Sequence, residues 1–175
     1  MKKLITMFLI LGVTGCSLLM PKEAVANTNI SGSVESRCTV NTDTAGYYGN
    51  PNAYTLTTLP ASNGQVPIVR IDTTLANAYN AQVSYPTSFS SSPSLSDSVT
   101  WTGAVAVAQT SSSDMSGYQA ASTVTNNGSM RTYGLTIAGT TWFSVSSVAT
   151  YGQGQNKAFP GGTYTAVAEA SCVAQ

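Results

Sequence analysis

A chain of 175 residues with seven Lys or Arg, seven Asp or Glu and no histidine is long enough for one domain with a proper core. It has no basic footprint for nucleic acid. The missing histidine removes the usual general base of a serine or cysteine nucleophile and the commonest transition-metal ligand, which excludes hydrolase triads in their ordinary form.

The first segment reads as an export signal. Lys2 and Lys3 form a positive n-region, Leu4 to Val13 an apolar h-region, and Ala24-Val-Ala26 supplies small residues for cleavage after Ala26. Gly12, Gly15, Ser17 and Pro21 break the run before the ~20 apolar residues that a spanning helix needs. A second processing route competes: Val13-Thr-Gly-Cys16 resembles the lipobox of bacterial lipoproteins, which would end the signal at residue 15 and leave a lipidated Cys16 on the outer membrane. Ordinary cleavage gives a single domain of residues 27–175, exported through the periplasm to the cell surface or beyond. Its charges are Arg37, Arg70, Arg131 and Lys157 against Glu35, Asp43, Asp72, Asp97, Asp114 and Glu169.

Past the signal, period-2 alternation dominates and helical periodicity is nearly absent, so the chain is expected to be all-β. From Ile30 to Val40 one face carries Ile30, Gly32, Val34, Ser36, Cys38 and Val40, the pattern of a half-buried strand. A turn-rich stretch from Asn41 to Pro51 follows. Tyr54, Leu56 and Leu59, then Val66 to Ile71, read as two strands, and Ala81 to Tyr85 as another, closed by Pro86. After a serine-rich connection, Val99 to Val107 is the most apolar strand, with Val99, Trp101, Val105 and Val107 on one face. Asn126-Asn-Gly128 signals a turn; beyond it Tyr133, Leu135 and Ile137 alternate inward, and Trp142 to Val148 is a further strand. In the last strand Tyr164, Ala166, Ala168, Ala170 and Cys172 share one side. About eight short strands at this spacing suggest a β-sandwich.

Cys38 and Cys172 remain under either processing route, and two thiols in an oxidising compartment are expected to pair, joining the first mature strand to the last. There is no CxxC spacing and no phosphate-binding glycine loop, so neither metal nor cofactor is expected. The six carboxylates read as turn residues (Asp43, Asp97, Asp114) or solvent-facing strand residues (Glu35, Glu169) more economically than as a glycosidase pair. Asp72 could end a strand or touch a calcium ion, but one acid makes no site. Trp101 and Trp142 read as core or half-core. Tyr47, Tyr48, Tyr118 and Tyr151 fall in loops, where ordinary packing competes with stacking on a carbohydrate.

Gly32-Ser-Val34 with Cys38-Thr-Val40 at one end, and Phe159-Pro-Gly-Gly-Thr-Tyr164 before the final strand at the other, resemble the pilin subunits exported by the bacterial chaperone–usher route. Tyr79 to Pro86 and Phe143-Ser-Val145 are similar to spore-coat-U-like and related pilin-like domains. The resemblance implies an immunoglobulin-like sandwich of about seven or eight antiparallel strands, completed by donor-strand exchange. It implies a non-enzymatic fibre subunit whose partners are other fibre subunits, a periplasmic chaperone and an outer-membrane usher. Residues 27–37 would then be the donor extension, with Ile30, Gly32 and Val34 entering a neighbour's groove by strand addition. The family's usual bridge joins the first strand to an early neighbour. A Cys38–Cys172 bridge instead fits a self-complete secreted or lipid-anchored binding module, with a host or surface glycan as its ligand.

Overall fold

The structure is a computed structural model that describes residues 30–111, 124–152 and 157–175. Two units are distinguished along the chain, residues 1–33 and residues 34–175. The second is a sandwich of two antiparallel sheets.

Ten strands are formed among the described residues: β1 (Cys38–Thr44), β2 (Gly49–Asn52), β3 (Thr55–Thr57), β4 (Ile68–Thr73), β5 (Tyr79–Ser84), β6 (Val99–Thr110), β7 (Val124–Asn127), β8 (Met130–Gly134), β9 (Gly139–Tyr151) and β10 (Glu169–Ala174). The six-stranded sheet is organised on β9. One edge of β9 pairs with β6, while β4 (opposite residues 139–144) and β3 (opposite residues 148–150) follow one another along the other edge. β1 pairs with β4 and β2 with β3. The four-stranded sheet runs β10-β5-β8-β7.

Alternation in the sequence becomes burial. Along β9, Thr141, Phe143, Val145, Ser147, Ala149 and Tyr151 are buried, and every residue between them is half-exposed. Phe143 and Val145 meet Val69 and Ile71 of β4, Ala81 and Val83 of β5, and Tyr133 of β8 in one core. Tyr133 satisfies its own hydroxyl there by donating to the Val105 carbonyl oxygen at 2.8 Å, as a buried phenol must.

Boundaries depart from the sequence expectation, and three of the departures bear on the site. The strand expected from Ile30 to Val40 begins only at Cys38, and residues 30–37 form no ladder. The turn expected at Asn126-Asn-Gly128 is shifted one residue on. Asn127 pairs with Met130, so the two-residue loop is Gly128-Ser129, and Gly128 at φ 59° supplies the left-handed first position that such a loop demands. Tyr151, expected in a loop, is the buried last residue of β9.

Cys38 and Cys172 are joined by a disulfide, with a Cα–Cα distance of 6.3 Å. β1 is the last strand of one sheet and β10 of the other, so the bridge laces the two sheets together along one side of the sandwich.

Candidate functional site: a groove between two unpaired edges

Beyond the disulfide the same side of the sandwich stays open. β1 leads away from Cys38 toward Thr44, and the chain before Cys172 leads back to Tyr164. Between them lies a groove of about 630 Å³. Its floor is the inner face of the larger sheet, with Leu56, Val69 and Val145, and its far wall is the segment from Gly162 to Ala168.

Both flanks carry free backbone. β1 pairs only with β4, leaving its other edge without a ladder among the described residues. On the opposite flank, Thr165 is bonded to Ser90 and Ser91, and the ladder with β5 begins at Glu169. Among the described residues, Ala166, Val167 and Ala168 make no backbone hydrogen bond. Peptide groups left in this way need water or another strand. Val40 gives a second sign of the opening. It pairs with Ile71, which is fully buried, so it points to the inner face, yet it is 37 % exposed.

The final strand was legible in its alternation. Tyr164, Ala166, Ala168, Ala170 and Cys172 are all half-buried and the residues between them exposed. The groove was not read from the sequence, although a signal was present. Three successive inward positions carry only a methyl group, opposite a sheet that presents Phe143 and Val145, so this wall cannot fill the space in front of it.

One end of the groove is polar. The Tyr48 hydroxyl and Ser147 Oγ are 3.1 Å apart. Thr58 and Ser147 close a tight pair, in which the Ser147 amide donates to Thr58 Oγ1 at 2.9 Å and the Thr58 amide to the Ser147 carbonyl at 2.9 Å. Burial raises the Tyr48 pKa above its ordinary value, and the Ser147 bond opposes the shift. An aromatic cluster adjoins the groove through Tyr48 and Tyr164. Phe89 stands 4.7 Å from Trp101 and 5.1 Å from Tyr164, and Phe159 packs on both Tyr151 and Tyr164 at 5.1 Å. Trp101 is thus half-core, as expected, and Tyr48 and Tyr151 are packing residues. Among the loop tyrosines that are described, Tyr47 alone is well exposed, at 57 %.

The expected donor residues lie outside any strand and open to solvent. Ile30 is 96 % and Val34 72 % exposed, and nothing lies within 4 Å of the position that a Gly32 side chain would occupy. The following residues are anchored: Thr74 Oγ1 donates to the Glu35 carbonyl at 2.8 Å and accepts from the Arg37 amide at 2.9 Å. Ala24 and Ala26 of the cleavage site, the lipidation candidate Cys16, Asp114 and Tyr118 lie outside the described residues.

Asp72, for which a calcium contact is only one of two readings, has its carboxylate engaged by protein groups. Its carboxylate accepts from Arg70 Nε at 3.2 Å, Asn41 Nδ2 at 3.4 Å and Thr140 Oγ1 at 2.7 Å. Among the described residues no group of three His, Cys, Asp or Glu is placed to hold a metal ion. No protein-family model, curated protein or solved structure matches this chain, so the groove and its two unpaired edges are where the functional argument rests.

Proposed function

We propose that the protein is a non-enzymatic structural subunit of a bacterial surface fibre, assembled by insertion of the segment Ile30–Val34 of one copy into the groove of the next. The observation that carries this reading is the pair of unpaired edges facing each other across an apolar groove. A strand laid between them would bond to β1 on one side and to Ala166–Ala168 on the other, and its alternate side chains would fill the space that the small inward residues leave. The lengths agree. At ~3.3 Å per residue, Ile30 to Val34 spans about 13 Å, the same as Tyr164 to Ala168. Their alternation agrees too, with Ile30 and Val34 bulky and Gly32 between them. Such a contact also covers edges that otherwise invite uncontrolled pairing. Export through the periplasm, a chaperone that protects the groove and an usher that exchanges it belong to the same proposal.

Deleting residues 27–34 spares the Thr74 anchor of Glu35 and Arg37. The shortened protein is expected to fold as a monomer with an unchanged melting temperature and to form no polymer in light scattering or electron microscopy. A synthetic peptide of residues 27–36 should bind it and raise its melting temperature. The Cys38–Cys172 bridge favours a second reading, a self-complete binding module, because it closes one end of the same side. Unfolding of the deletion variant, or failure of the peptide to bind, would establish that second reading at the expense of the fibre.

A further inference from the structure

The outer face of the larger sheet, turned away from the groove, carries a second constellation that the fibre reading does not use. Thr141 and Phe143 are buried, at 3 % and 0 % exposure, so Trp142 between them projects outward, where it is half-buried. Its ring is fixed, because the indole Nε1 donates to Asp43 Oδ1 at 3.1 Å. In register it lies in one row with Asn41 of β1, Arg70 of β4 and Gln109 of β6. Its neighbours on the same face are small: Thr140 and Ser144 along β9, Ala104 and Ala106 on β6.

Asn41 and Arg70 of the row are held in place by a shared partner. Asp72 binds Asn41, Arg70 and Thr140, and the second oxygen of Asp43 accepts from Thr44 Oγ1 at 3.1 Å. Arg70 uses only Nε in its bond to Asp72, and its side chain remains 42 % exposed, which leaves the rest of its donors directed to solvent. Asn41 and Gln109 are exposed. An immobilised aromatic ring beside amide, guanidinium and carboxylate groups is the equipment for a sugar: the ring packs against pyranose C–H groups, and planar polar side chains donate to and accept from vicinal hydroxyls. Asp43 and Asp72 outnumber Arg70, so the face has no surplus positive charge to favour an acidic sugar.

We propose that this face is a binding site for neutral hexopyranose units of a polysaccharide, with Trp142 as the stacking platform and Asn41, Arg70 and Gln109 as hydroxyl partners. The proposal is independent of the fibre reading, because the site lies on the outer surface of one sheet and needs no second copy.

The test is titration of the mature protein with neutral gluco-, manno- and galacto-oligosaccharides and with an acidic uronic-acid oligosaccharide, followed by calorimetry and tryptophan fluorescence. At least one neutral series should bind, shield Trp142 from acrylamide quenching and leave Trp101 unchanged. Trp142→Ala should lower that affinity at least about tenfold, a loss of the size that aromatic stacking accounts for. Gln109→Ala, at an exposed position with no side-chain bond among the described residues, should lower it by a smaller factor without change in melting temperature, which covers the case of a misfolded Trp142→Ala. Absence of binding to every neutral series, tighter binding of the acidic oligosaccharide, or full affinity in both variants would overturn the proposal.

Discussion

Tyr48 is a titratable side chain that lines the groove, and its hydroxyl reports what fills that space. Its folded-state pKa lies above 10.0, mainly through burial, with the Ser147 bond acting in the opposite direction. Because the folded value is the higher one, the stabilisation is fully present below pH 10 and is lost as pH rises through the folded pKa. Tyr133 and Tyr164 are shifted the same way, each chiefly by burial, so the informative measurement is a difference titration of phenolate absorbance between the native protein and Tyr48→Phe. The component missing from the variant should titrate above the ordinary tyrosine range. Adding the peptide of residues 27–36 should push it higher still, since an occupied groove excludes more water. An unchanged titration in the presence of bound peptide would place the peptide outside this groove.

At the level of elements, pairing is decided by glycines as much as by apolar residues. A methyl group on Gly49 at the start of β2 would overlap the carbonyl oxygen of Ser62 and crowd the backbone of Asn63 and Gly64. Gly64 in turn lies directly against the backbone of Thr57 and Thr58. The β2–β3 hairpin and the 3₁₀ turn Pro60–Ser62 therefore interlock backbone to backbone. Gly49→Ala should cost about 1–3 kcal/mol in urea denaturation, the usual range for overpacking, whereas Gly161→Ala, with open space around it, should leave the midpoint where it is. Equal midpoints for the two variants would mean that the hairpin moves aside freely. This contact also shows where sequence reading stopped. Period-2 alternation correctly assigned faces to Tyr133, Leu135 and the alternate residues from Tyr164 to Cys172, because which side a residue faces is a local property of an extended chain. Whether an extended stretch finds a partner depends on distant residues. Ile30–Val34 has the alternation of a strand and forms none, Ala166–Ala168 has it and stays unladdered, and β2 arises in a stretch whose Gly and Pro signalled only turns. The Trp142 row was hidden for the same reason, since its members come from four strands that meet only in the folded sheet.

For the whole molecule the decisive constraint is the link between the two sheets on the side where the sandwich is open. Across the rest of the interface the sheets are held by Phe143, Val145, Ile71, Val83 and Leu135, which are all but inaccessible to solvent. β1 contributes little to that core: five of its seven residues are exposed, and its one ladder is to β4. The disulfide closes 134 residues of sequence, a loop for which the chain-entropy model gives roughly 4–5 kcal/mol. Its place also matters, because it pins β1 and β10 at one end of the groove and so fixes the spacing that an incoming strand must bridge. Replacing both cysteines by serine should therefore do two separable things. Global stability in denaturant should fall by about 2–5 kcal/mol, the usual cost of losing a native bridge. Under native conditions, amide exchange should accelerate in β1 and β10 while the β6–β9 ladder keeps its protection, and peptide binding to the groove should weaken as its edges move apart. Uniform loss of protection across all strands would show that the bridge stabilises only through the unfolded chain and has no part in shaping the groove.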